Sequence, residues 1–181
     1  MKKIILLFIA IISLSSFAQT KTPSVEKSIY GVQTGFLGIW FHNENRLSDK
    51  IALKSEIGLD FGIGKTMFDD EITFASVPSI NLEPRLYYNF KKRLAKNKNI
   101  AKNSGNYISI KTTYNPDWFI ISNKDNLAFN DQLRVIPSWG IKRTYGNHFT
   151  LETGAGAGLN FIKNYPALIY IDLHFRIGYT F

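Results

Sequence analysis

The chain has 181 residues, a formal net charge of +8 and no cysteine. That length is one domain's worth, and without thiols both disulfide stapling and an acylated lipoprotein cysteine are excluded. The positive charge does not carry a nucleic-acid signature, because six of the cations sit in one polar stretch, KKRLAKNKNIAKNSGN, and are not interleaved with aromatics.

The first predicted element is MKKIILLFIAIISLSSFAQ. Lys2 and Lys3, an apolar run over 4–12 and the Ser16-Phe17-Ala18 triplet form the three-part pattern of a secretory signal peptide, with cleavage expected after Ala18. The run is shorter than the ~20 residues a spanning helix needs. No later segment approaches ~18 consecutive apolar residues, so no helical span is predicted. The domains expected are a signal peptide over 1–18, a flexible polar segment over 19–29 and one folded domain over 30–181.

From Tyr30 the side chains alternate with period two. In KIALKSEIGLDFGIG one register is Ile51, Leu53, Ser55, Ile57, Leu59, Phe61 and Ile63, and the other is Ala52, Lys54, Glu56, Gly58, Asp60 and Gly62. SINLEPRLYYNF, NYISIKTTY, LRVIPSWGIK, HFTLETGAGAGLNF and ALIYIDLHFRIGYTF repeat the pattern. The first segment, YGVQTGFLGIWF, is largely apolar in both registers. Turn chemistry separates the runs, in HNENRLSD, KTMFDDE, the Lys/Asn stretch, SNKDN, YGN and KNYP. The class is therefore an all-β meander. Seven strands are clear, at 30–41, 50–63, 76–90, 106–121, 131–145, 148–162 and 167–181. An eighth is expected from a break at Asn115-Pro116-Asp117, or otherwise from the segment before Tyr30. The longest loops expected are 64–75, 91–105 and 122–130.

Alternation alone leaves open which face is interior. A soluble barrel turns its apolar register inward and a membrane barrel turns it outward. Runs of about 12–15 residues exceed the usual soluble strand. The polar register carries charges of both signs in mid-strand and also the glycines. Aromatics gather near strand ends on the apolar register: Tyr30, Trp40, Tyr88, Phe90, Tyr114, Phe149, Phe161, Tyr179 and Phe181. These features place the apolar register against hydrocarbon, and a sheet in lipid must close on itself, with an even strand number from eight upward. Pro78, Pro84 and Pro137 fall inside predicted strands, where a closed barrel has no edge to accommodate them.

The signal peptide, the alternating strands and a last strand with Phe175, Ile177, Tyr179 and Phe181 together resemble the small eight-stranded outer-membrane β-barrel proteins of Gram-negative bacteria, of the OmpA/OmpX shape. The resemblance implies a closed antiparallel up-and-down transmembrane β-barrel located in the cell outer membrane. It implies outer-membrane lipid and lipopolysaccharide as surroundings, and recognition by the barrel-assembly machinery through the strand ending at Phe181. A monomer is expected, with no nucleic-acid partner and no cofactor. The basic stretch, with Lys91, Lys92, Arg93, Lys96, Lys98 and Lys102, suits anionic lipid headgroups or lipopolysaccharide phosphate.

The polar register holds Lys54, Glu56, Asp60, Glu83, Arg85, Lys111, Arg134, Lys142, Glu152, Asp172 and Arg176, five acids and six bases. An eight-stranded barrel is just wide enough for side chains, so these charges are expected to pair in a structural network that plugs the lumen. The role expected is structural or loop-mediated, with a narrow pore as the alternative. A lipid-A-modifying enzyme is a further alternative, for which His148, Thr150 and Glu152 are the nearest arrangement, with Thr in place of a Ser nucleophile. His42, His148 and His174 have no metal spacing. GAGAG at 154–158 lacks the G-x-G-x-x-G spacing and is read as room for bulky neighbours such as Tyr170 or Arg176.

Overall fold

The computed structural model describes residues 23–64, 72–124 and 127–181. The signal-peptide expectation lies outside them. Among the described residues nine strands form, β1 (Ser28–Gly35), β2 (Gly38–Arg46), β3 (Ile51–Gly64), β4 (Thr73–Tyr87), β5 (Asn106–Asn115), β6 (Ile121–Ser122), β7 (Gln132–Tyr145), β8 (Phe149–Ile162) and β9 (Leu168–Thr180), together with a short α-helix, α1 (Phe90–Leu94). Each long strand is antiparallel to the next, β9 returns to β1, and β3 pairs with β4, so eight strands close a ring. The fold is an eight-stranded antiparallel up-and-down β-barrel. No helix among the described residues is long and apolar enough to cross a membrane.

The eighth strand arises at the start of the chain, which corrects the sequence expectation. β5 does end at Asn115, but the residues beyond it supply only β6, whose two residues pair with Ala75 and Ser76 of β4 outside the ring. The segment expected as one strand over 30–41 is instead two, folded back at a two-residue hairpin in which Gly35 faces Gly38 across Phe36-Leu37. A two-residue turn exchanges odd for even: inward positions are Ile29, Gly31 and Gln33 in β1 but Trp40, His42 and Glu44 in β2. One register read through the turn therefore mixes inside with outside, which is why both look apolar. Gly38 closes the turn with φ 155°.

The ends follow from this order. Residues 23–27, the turn 47–50, the connection 88–105 and the turn 146–148 lie at one end, which also holds Phe181; we call it the terminal end. The hairpin 36–37 and the connections β3–β4, β5–β7 and β8–β9 lie at the far end. The residues 91–105 thus stand at the opposite end from the β3–β4 and β5–β7 strand ends; the expected loops 64–75 and 122–130 lie partly outside the described residues.

Large apolar side chains cover the outside of the barrel. Ile169 is 83 % exposed, Leu173 70 % and Ile171 69 %, whereas Lys54, Glu152, Lys142 and Glu44 are fully buried. Exposed aromatics gather toward both ends of this apolar wall. Tyr30, Tyr88, Tyr145, Phe149, Tyr179 and Phe181 lie at the terminal end, and Phe36, Phe61, Phe74, Trp118, Phe161 and Tyr165 at the far end. Two residues expected among the outer aromatics are inside. Trp40 turns inward because of the hairpin's parity exchange, and Phe90 because it belongs to α1, which folds beneath the barrel.

The three strand prolines fit without bulges, since register is continuous on both sides of each. A strand residue aims its N–H at one neighbour only. Pro84 pairs with Leu53 of β3, and the β4–β5 ladder is interrupted beside it; Pro137 pairs with Ile110 of β5, and the β7–β8 ladder is interrupted there. Pro78 lies above the last β4–β5 pair, where Asn115 Nδ2 donates to its carbonyl at 3.0 Å.

Candidate functional site

The interior is filled by ion pairs in stacked layers. In the middle layer Glu152 receives both Arg85 terminal nitrogens, Nη2 at 2.6 Å and Nη1 at 3.0 Å, as well as the Tyr107 hydroxyl at 3.2 Å and Gln33 Nε2 at 3.3 Å. Arg85 Nη2 also donates to Glu83 at 2.6 Å, and Ser109 Oγ donates to the other oxygen of Glu83. Lys54 reaches Glu56 at 2.6 Å, Gln33 Oε1 at 2.7 Å and Glu152 at 3.4 Å. Arg176 Nη1 bridges both oxygens of Glu56, at 2.9 and 3.0 Å, and its guanidinium lies 3.9 Å over the Trp40 ring. Arg85 similarly stacks 4.1 Å over Tyr107.

Toward the far end, Lys111 pairs with Asp172 at 3.3 Å, and His174 Nδ1 lies 2.9 Å from the same carboxylate. Arg134 donates to Asp60 at 2.7 Å and to the Tyr170 hydroxyl at 2.9 Å, and also reaches Asn115. Trp40 Nε1 donates to Asp60 at 2.9 Å. Here the barrel opens into a vestibule of about 130 Å³, lined by Trp40, Asp60, Lys111, Arg134, Tyr170 and Asp172 among others. Asp60 and Arg134 are only half-buried because they sit at this mouth.

At the terminal end Lys142 Nζ lies 2.5 Å from Glu44, both fully buried, and Tyr87 Oη donates to Glu44 at 2.6 Å. Below this pair the lumen is shut by an apolar floor of Val25, Ala52, Tyr87, Phe90 and Tyr107. Phe90 stacks on Tyr87 with centroids 5.1 Å apart. The segment expected to be flexible before Tyr30 is tied down here from Val25 onward: Val25 N–H donates to the Asp49 carbonyl and Glu26 N–H to Asn103 Oδ1. Around the rim of this end stand Lys27, Arg46, Lys50, Lys91, Lys92, Arg93, Lys96, Lys98, Lys102 and Arg143 against only Glu26 and Asp49.

All eleven charged residues singled out from the sequence point into the lumen, and Glu44 joins them. Glu44 escapes the sequence reading because HNENRLSD has the composition of a turn, although its first residues finish β2. It makes the interior acids equal the bases, six of each. The signal that reveals it is the hairpin, two short alternating runs in opposite phase around GFLG. The two inward-facing histidines divide: His174 lies with its Nδ1 2.9 Å from Asp172, while His42 is buried against Gly31 with neither ring nitrogen hydrogen-bonded to another side chain or backbone group.

His148, Thr150 and Glu152 are not brought together. His148 is on the surface, its ring stacked on Tyr179 at 4.8 Å and its Nδ1 2.7 Å from the Thr180 carbonyl, whereas Thr150 and Glu152 are buried inside. No group of three potential ligands able to hold a metal occurs among the described residues. The GAGAG glycines make room for His174 over Gly154 and for Ser138 and Ile136 beside Gly156, rather than for Tyr170 or Arg176.

No family model, curated protein or solved structure matches the chain.

Proposed function

We propose that this chain is an integral outer-membrane β-barrel of the OmpA/OmpX kind, from a Gram-negative envelope, with a structural or loop-mediated role and a salt-bridged, plugged lumen. The observation that carries the reading is the distribution of polarity: a closed barrel whose outer wall is apolar and whose charges are buried in pairs. Water makes such a wall costly and hydrocarbon makes it favourable. The thirteen residues of β9, at about 3.3 Å each and tilted near 45°, rise about 30 Å, which suits a bilayer core. Aromatics near both ends of the wall suit its two interfaces.

Equal numbers of interior acids and bases, each within reach of an opposite charge, suit a rigid core better than a passage. The apolar floor over Tyr87 and Phe90 closes it a second time. The working surface is then the far-end loops, and β9, with Phe175, Ile177 and Tyr179 exposed, is the segment offered to the assembly machinery. Fractionation of envelopes combined with gel mobility tests the reading: the protein should be in the outer membrane and migrate faster unboiled than boiled. Recovery in the soluble periplasm with identical mobilities would overturn it. Steady single-channel current in planar bilayers would replace the plug by a pore.

A further inference from the structure

The outer wall is not uniform. Between the two interrupted ladders, β5 is flanked by Pro84 on one side and Pro137 on the other, and a groove of about 670 Å³ runs there over Ile108 and Ile110. Leu86 and Trp139 form its sides, and small Ala155, paired with Trp139, keeps it open. Its terminal end is clasped by a hydrogen bond on the outer surface, Trp139 Nε1 donating to Tyr88 Oη at 2.8 Å.

Tyr88 is also the first residue of the basic connection. Two residues on, Phe90 turns into the floor, leaving Lys91, Lys92 and Leu94 of α1 exposed, with Lys96 and Lys98 exposed beyond. No acid lies anywhere in 88–105. Arg93 and Lys102 are engaged internally, on the Asn99 and Phe181 carbonyls. An apolar groove on the wall thus ends at Tyr88, three and four residues along the chain from the exposed and unpaired Lys91 and Lys92 at the rim.

We propose that this juxtaposition is a binding site for an anionic glycerophospholipid, its phosphate on the α1 lysines and one acyl chain in the Trp139 groove. The proposal rests on the membrane reading above and adds a lipid preference to it. Charge complementarity selects the headgroup: a lysine near an anionic membrane surface strengthens attraction about fivefold. The groove selects a chain over a bare phosphate.

The test uses the full-length barrel in phosphatidylcholine vesicles carrying the same small fraction of acyl-brominated lipid, either phosphatidylglycerol or phosphatidylcholine. Bromine quenches tryptophan at close range, and the Trp139 signal is the difference between a Trp118→Phe background and the same background with Trp139→Phe. Trp139 should be quenched more by brominated phosphatidylglycerol. The preference should vanish in Lys91→Gln/Lys92→Gln/Lys96→Gln, survive in the corresponding triple arginine variant, and weaken in high salt. Equal quenching by both lipids overturns the lipid site while sparing the membrane barrel. A Trp139 quenched by neither lipid in a protein that cross-links as a dimer gives the groove to a second copy, and no quenching in a monomer refutes the membrane reading itself.

Discussion

Lys142→Met leaves the Glu44 carboxylate buried with only the Tyr87 hydroxyl, and Glu44→Gln leaves the Lys142 ammonium without its 2.5 Å partner. Both groups are fully buried, and stranding one member of such a pair costs about 3–5 kcal/mol. The double variant removes both charges together, while the side-chain amide introduced in place of the Glu44 carboxylate still accepts from the Tyr87 hydroxyl. It should fall within about 1 kcal/mol of the parent, since buried pairs exchanged for uncharged groups are often neutral or stabilising. The coupling energy is then about 5 kcal/mol or more. Urea titration of the barrel in lipid vesicles, followed by tryptophan emission, measures all four corners of the cycle. If the single costs add to the double within about 0.5 kcal/mol, the two groups do not share a dry interior and the plug is wetted.

Three further outcomes follow from the same geometry. A methyl group at Gly140 would collide with the Tyr107 ring, while one at Gly64 meets nothing; Gly140→Ala should disturb the Arg85–Tyr107 stack and lower the urea midpoint, with Gly64→Ala unchanged. Arg176→Lys loses the guanidinium plane over Trp40 and one contact to Glu56, for about 1–3 kcal/mol in the same titration. Raising salt from about 0.1 to 1 M shortens the screening length roughly threefold, yet barrel stability should move by less than about 1 kcal/mol, because the interior pairs are out of reach of counterions.

The alternation in β3 and β9 is strong enough to settle fold class, because in a closed barrel each strand has one neighbour on either side and two unlike faces; the facing needs, in addition, the charges and glycines of the polar register and the aromatics near strand ends. Three features are illegible in the sequence for physical reasons. The GFLG hairpin inverts parity within two residues and erases the periodic signal that would reveal it. Glu44 sits close to the end of β2, where strand and turn compositions overlap. The floor under the barrel depends on Phe90 and Val25, which belong to no alternating run and acquire their places only when the connection 88–105 folds across the opening.

The absence of cysteine makes the central claim directly measurable. Single cysteines placed in turn along β9, Leu168–Thr180, and spin-labelled in the full-length protein in vesicles, report collision with oxygen dissolved in hydrocarbon and with a nickel chelate dissolved in water. Labels at Ile169, Ile171, Leu173, Phe175 and Ile177 should be open to oxygen and closed to nickel, and those at Asp172, His174 and Arg176 closed to both. Nickel access at the odd positions along the middle of the strand, or the same response at odd and even positions, would contradict an apolar wall facing lipid.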